Sequence, residues 1–266
     1  MQHVLTLRKI FLVFGFALVV SGCDTDNTQL PNANKEVLSA IYSYNASGEL
    51  SSYSEIEYDS NGNQTKWNNY NANGELSDYS EAEYDSKGNE TKFRYYDANG
   101  ELSWYAEAKY DSKGNKTKWN FYYANGESSW YSEYEYDSKG NQTKYIEYIG
   151  NGELSGYAEY EYDSNGNRTK HNDYNADGEL TWHTAYEYDS NGNKTKQSGY
   201  DANGELSGYD EYEYDSDRTL TKWRIYSASG ELSEIEYDSN GNPTKKSDYD
   251  ENGELQSYMV FLYKKI

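Results

Sequence analysis

Aliphatic residues are scarce in this chain. Leu, Ile, Val and Phe make up 36 of 266 residues, a fraction that with a formal net charge of -22 normally marks a chain unable to build a core. Basic residues are also few, 24 Lys and Arg against 46 Asp and Glu, which excludes nucleic acid as a partner. A single cysteine excludes any disulfide within the chain. The longest apolar run, Ile10 to Val20, would reach about 16 Å as a helix, half of a hydrocarbon core, so a membrane span is excluded there. Tyrosine fills the gap: 33 Tyr and 6 Trp supply the missing apolar area.

The short apolar run has a different use. It follows Arg8 and Lys9 and ends in Val20-Ser21-Gly22-Cys23, the layout of a secretory signal. Those four residues resemble the bacterial lipobox. The resemblance implies cleavage before Cys23, a diacylglyceryl thioether on its sulfur and an acylated, palmitate-type N-terminus, and two or three chains give stable anchoring. Residues 1–22 are thus expected to be a lipoprotein signal peptide. Residues 23–36, polar and carrying Pro31, form the lipidated N-terminus and tether, and residues 37–266 form the folded domain. The expected location is the bacterial cell membrane, with the lipid anchor as the membrane contact. Asp24 resembles the inner-membrane retention signal of enteric lipoproteins, and acidic residues at this place also resemble a surface-export signal, so both membrane faces stay open.

From Tyr58 the chain repeats every 26 residues, with copies opening at Tyr84, Tyr110, Tyr136, Tyr162, Tyr188 and Tyr214. The consensus is Y-D-S-N-G-N-x-T-K-x-x-x-Y-x-A-N-G-E-L-S-x-Y-x-E-x-E. Its two Asn-Gly turns per copy predict type I′ hairpins, as at Asn61-Gly62 and Asn73-Gly74. Two-residue turns there place Glu57 opposite Lys66, Ile56 opposite Trp67, Tyr53 opposite Tyr70, and Lys66 opposite Glu81. One face then collects Trp67, Leu76, Ala82 and Tyr84, and the other collects Lys66, Tyr70, Tyr79, Glu81 and Glu83. The expected fold is all-β: tandem antiparallel β-hairpin repeats of 26-residue period forming an elongated, twisted and coiled sheet of roughly 18 strands, about 80 Å long, with the Trp face inward.

The consensus resembles the YD-type repeats of Rhs proteins, and is similar to the variant membrane-occupation-and-recognition repeats that share the Y-x-x-N-G turn. The resemblance covers about residues 42 to 263. It implies tandem hairpins in a curled sheet and no catalysis by the repeat itself. The chain departs from large Rhs proteins in having no long shell and no C-terminal toxin, so a cargo-enclosing role does not carry over.

No nucleophile elbow, zinc helix or phosphate loop is present, and neither cofactor nor metal is expected. His171 and His183 fall on opposite faces and replace aromatics in their columns. Asp59-Ser60-Asn61-Gly62-Asn63 has its glycine too early for an EF-hand and reads as an Asx-capped turn. Glutamates that recur in nearly every copy read as a solvated face rather than a catalytic pair.

The aromatic columns carry the functional expectation: a non-catalytic, lipid-anchored envelope scaffold that contacts protein or glycan. The contact candidates are Tyr70, Tyr79, Tyr96, Tyr105, Tyr122, Tyr131, Tyr148 and Tyr157. The alternative is a carbohydrate-binding or cell-wall-binding module using rows of rings such as Trp104, Trp130 and Trp182. Two irregularities remain: the copy from Tyr214 loses three residues, and the last strand puts Val260 and Leu262 where others have Glu, which predicts that something covers it.

Overall fold

The computed structural model describes residues 36–265, and every described element is a strand. In chain order they are β1 (Glu36–Asn45), β2 (Leu50–Tyr58), β3 (Gln64–Asn71), β4 (Leu76–Tyr84), β5 (Glu90–Asp97), β6 (Leu102–Tyr110), β7 (Lys116–Tyr123), β8 (Ser128–Tyr136) and β9 (Gln142–Ile149). They continue as β10 (Leu154–Tyr162), β11 (Arg168–Asn175), β12 (Leu180–Tyr188), β13 (Lys194–Asp201), β14 (Leu206–Tyr214), β15 (Leu220–Ser227), β16 (Leu232–Tyr237), β17 (Pro243–Tyr249) and β18 (Leu255–Lys265).

The turns differ from the expected type I′. In the first full loop Gly62 N–H donates to the Asp59 carbonyl (3.1 Å) and Asp59 N–H donates to the Asn63 carbonyl (2.9 Å), while Gly62 alone takes positive φ (83°). That is a type I turn followed by a left-handed glycine, a three-residue loop. Asp59 closes it, accepting at Oδ1 from the amides of Asn61 (2.8 Å) and Asn63 (2.9 Å), and at Oδ2 from Asn63 Nδ2 (2.9 Å). These bonds hold the Asp59 carboxyl below its usual range, and the pattern recurs at Asp85, Asp111, Asp137 and Asp163.

A bulge restores the register that a longer loop would have shifted. Tyr58 pairs with Gln64 and Glu57 with Lys66, leaving Thr65 as the extra residue, so the pairs expected from sequence are the ones formed. The second loop behaves alike: Tyr70 pairs with Leu76 and Asn69 with Asp78, across an extra Ser77. That bulge puts Leu76 on the face of Tyr70, not with Ala82. In the copy from Tyr214, the β15–β16 pairing has no register shift. The three missing residues are therefore one bulge residue and one inward-outward pair, and both faces of the sheet are kept.

The open, elongated sheet is corrected by the ends of the chain. Each strand pairs antiparallel with the next, and β18 pairs with β1 from Glu36↔Lys265 to Asn45↔Ser257, closing an 18-stranded barrel. About 20° of twist per strand turns 18 strands through roughly a full circle, so the two edges meet, and pairing them satisfies backbone groups that an open ribbon would leave exposed. Val260 and Leu262 lie opposite Tyr42 and Ala40, so β1 covers the edge of the last strand, while Leu262 itself stays 46% exposed. Following the register once round displaces the chain by about 16 residues, which for 18 strands means a tilt of roughly 30–35° and a backbone diameter of about 30 Å.

The face carrying Trp67 turns inward. Ile56, Ala106, Ser132, Ala158 and Ile235 on it are at most 2% exposed. Burial pushes the Tyr160 phenol on this face to about 12, and those of Tyr145 and Tyr212 higher still. On the other face Glu55, Glu57 and Glu83 are exposed. A row of phenols stitches the inner rim: Tyr84 donates to the Gln64 carbonyl (2.7 Å), Tyr110 to Glu90 (2.7 Å), Tyr136 to Lys116 (2.8 Å) and Tyr188 to Arg168 (2.7 Å). Each bond satisfies a carbonyl beside a bulge.

Candidate functional site

Two surfaces carry side chains in functional arrays. Outside, all eight tyrosines expected to make contacts share the face of Lys66 and Glu81. They stack in pairs: Tyr79 on Tyr96 (4.6 Å), Tyr105 on Tyr122 (4.8 Å) and Tyr131 on Tyr148 (4.7 Å), with Tyr70 on Tyr53 (4.7 Å) and Tyr157 on Tyr174 (4.7 Å). A lysine covers the free side of several: Lys66 Nζ lies 4.6 Å from the Tyr79 ring and Lys118 Nζ 3.7 Å from that of Tyr131. The same lysines pair with glutamates, Lys92 with Glu107 (2.8 Å) and Lys118 with Glu133 (3.0 Å). Tyr79 and Tyr131 are thereby engaged on both ring faces. Edges and hydroxyls are what they offer to a partner.

The array is interrupted at β16. The deletion removes the ring that would stack on Tyr249, leaving an outward groove of about 490 Å³ lined by Tyr226, Leu232, Glu234, Tyr249 and Gly253. His183 takes a tyrosine's place in the outer row, stacked on Tyr200 at 4.8 Å, and His171 points inward with Nε2 3.2 Å from Asp173. The two histidines lie on opposite faces, and the described residues hold no cluster of metal-ligating side chains. Val20, Ser21, Gly22 and Cys23 lie outside the described residues.

Inside, the wall changes character around the barrel. Next to the seam it is apolar, with Ile41, Ile56, Ile225, Ile235, Met259 and Phe261. On β5 to β8 it is aromatic: Phe93–Trp104 (5.3 Å), Tyr95–Trp104 (5.5 Å), Trp104–Phe121 (5.9 Å) and Phe121–Trp130 (3.7 Å) form one run of rings. From β9 to β14 it becomes polar. Tyr145 donates to Glu147 (2.6 Å), Gln197 and Tyr212 donate to Asp210 (2.5 and 3.2 Å), and burial raises the Asp210 carboxyl. Trp182 lies flat over Gly199, where a Cβ would come within 2.2 Å of its ring.

The seventh position of each copy, an unassigned x in the consensus, was missed as an inward site. The bulge after it turns that residue to the face of the rim tyrosines, so Gln64, Glu90, Lys116, Gln142, Arg168 and Lys194 enter the lumen. The available signal was its variability against a constant background. Apart from the constant rim tyrosine, the inward positions are variable ones of the consensus, while the outward Lys, Tyr and Glu positions repeat beside one variable outward column, Asn68, Arg94 and Ile146 among its members.

No family model and no curated protein matches the chain. Among solved structures, it is similar to a porin-like protein from Bacteroides uniformis, at 11% identity over 85% of this chain and 98% of that one, with a TM-score of 0.48. A porin-like protein from Bacteroides vulgatus matches at 13% identity over 85% and 98%, with a TM-score of 0.37. The Photorhabdus luminescens Tc holotoxin pore matches at 14% identity over 86% of this chain, 14% of its own length and a TM-score of 0.36.

Proposed function

We propose that the chain is a lipid-anchored, non-catalytic scaffold of the bacterial cell envelope, held by acylated Cys23 and making contacts with protein or glycan through its outer tyrosine girdle. The observation that carries this reading is the girdle itself. Stacked tyrosines, fixed by lysines and repeated around a closed barrel, are pre-organised contact groups with little side-chain freedom left to lose. The same face opposes immersion in lipid, since Lys, Arg and Glu recur where a membrane barrel needs an apolar band. The barrel therefore stands in water on its tether.

Two measurements test this. Alkyne-palmitate should label the wild-type chain and not Cys23→Ser, and equal labelling of both would remove the anchor. Protease shaving of intact cells with a tag after Ile266, beside a lysed control, then reports which side of the envelope holds the barrel. A second reading, carbohydrate binding, is favoured by the run of rings on β5 to β8. It predicts quenching of Trp fluorescence by a defined glycan, and silence across a broad glycan panel would sink it.

A further inference from the structure

The interior holds a charge that the chain does not neutralise. Arg168, half-buried on β11, has no carboxylate within ion-pairing distance among the described residues, in a protein with 46 acidic side chains. Its surroundings are phenols. The guanidinium carbon lies 4.4 Å from the Tyr160 ring and 5.7 Å from that of Tyr162, whose hydroxyl accepts from Nη2 at 3.3 Å. Two strands away Lys194 enters the same tier, with Nζ 4.3 Å from the Tyr212 ring and donating to Gln197 Oε1 at 3.0 Å. The carboxylates of this wall are turned to other donors: Asp173 to His171, and Asp210 to Gln197, Tyr212 and the neighbouring charge of Lys194.

Unpaired guanidinium groups are rarely withdrawn from water, because their desolvation is offset only by an opposite charge or a full set of acceptors. The phenol oxygens of Tyr162 and Tyr186 still leave part of the five donors of Arg168 to the lumen. Outside, the equivalent need is met, since Arg94 pairs with Glu83 (2.5 Å) and Arg224 with Glu234 (2.8 Å). We propose that the tier around Arg168 is an oxyanion site, in which the planar guanidinium grips a carboxylate or phosphate group. Lys194, which also faces Asp210, lies in the same tier, and the rings of Tyr160 and Tyr212 flank the group that carries the anion. A lumen within a barrel about 30 Å across gives such a ligand access.

Titration calorimetry on the full-length, detergent-solubilised chain, with inorganic phosphate, glucose 6-phosphate, glucuronate and glucose as probes, tests the site. Saturable binding of the charged probes and none of glucose is expected. Arg168→Gln should weaken it about 10-fold or more, the loss of one charge-assisted bidentate contact, and Arg168→Lys less. Lys116→Gln, four strands away on the same tier, should leave the affinity unchanged, and unchanged circular dichroism of Arg168→Gln shows that its fold persists. Tighter binding of the sugar-borne anions than of inorganic phosphate assigns the rings a role, and equal binding makes the site one for the bare anion. Absence of binding by every charged probe, or wild-type affinity in Arg168→Gln, overturns the proposal.

Discussion

Replacing Tyr84, Tyr136 and Tyr188 by Phe tests what holds the hairpins together at the inner rim. Each phenol donates to a carbonyl 20 residues earlier, at 2.7 to 2.8 Å, and each replacement leaves that carbonyl without its partner. An unsatisfied buried acceptor costs about 1–3 kcal/mol. The three sites are four strands apart, about 19 Å at ordinary strand spacing, so their effects should add to about 3–9 kcal/mol. Against a total of about 5–15 kcal/mol for a domain, the triple variant should unfold at a much lower urea concentration. Alkaline pH gives an independent check. Burial raises the folded-state pKa of these phenols and lifts those of Tyr58 and Tyr110 to about 12, so the unfolded chain ionises first. The stability they contribute is complete below about pH 10 and is lost as pH rises toward the folded values. Wild type should therefore lose stability more steeply than the triple variant between pH 9 and 11. Single variants each costing less than about 0.5 kcal/mol, or identical alkaline slopes, would refute the stitching.

Three further outcomes follow from particular contacts. Arg218 is the one non-glycine with positive φ (67°) among the described residues and occupies the place of the turn glycine, so Arg218→Gly should stabilise by about 1 kcal/mol in urea unfolding. Gly199→Ala drives a Cβ into the Trp182 ring and should destabilise by about 1–3 kcal/mol, and a double-mutant cycle with Trp182→Ala should recover most of the loss. Lys170 faces Ala185 where most other copies have Glu, so Ala185→Glu should add about 0.2–1 kcal/mol at low salt, an increment that fades at 1 M salt.

Most pairings were legible in the sequence, through errors that cancel. A type I′ turn at Asn61-Gly62 predicts Glu57 opposite Lys66. The actual three-residue loop would shift that pair by one, and the bulge at Thr65 shifts it back. Where a bulge stands between two residues of interest the cancellation fails, so Leu76 was read on the wrong face. Closure was hidden because a repeat of 26 describes neighbours and says nothing of whether the first and last meet. The signal was local: Val260 and Leu262 replace glutamates on one strand, the strand whose edge pairs with β1. Arg168 escaped for the same reason as Leu76, since its direction depends on a bulge that no single residue announces.

The division between constant and variable positions follows from the barrel's geometry. An outward side chain must fit its equivalents on both neighbouring strands. Lys118 needs Glu133 for its charge and Tyr131 for its ammonium face, and Tyr131 in turn stacks on Tyr148. Changing one member disturbs a chain of partners, so the outer set is repeated copy after copy. An inward side chain points toward a lumen and shares fewer such obligations, except where rings such as Phe121 and Trp130 pack directly. That freedom lets the wall be apolar at the seam, aromatic on β5 to β8 and polar from β9 to β14 without disturbing the ladder. Changing a single inward set, as Arg168 with Lys194, should therefore alter what the lumen binds while the outer stacks and the closure of β1 on β18 stay in place.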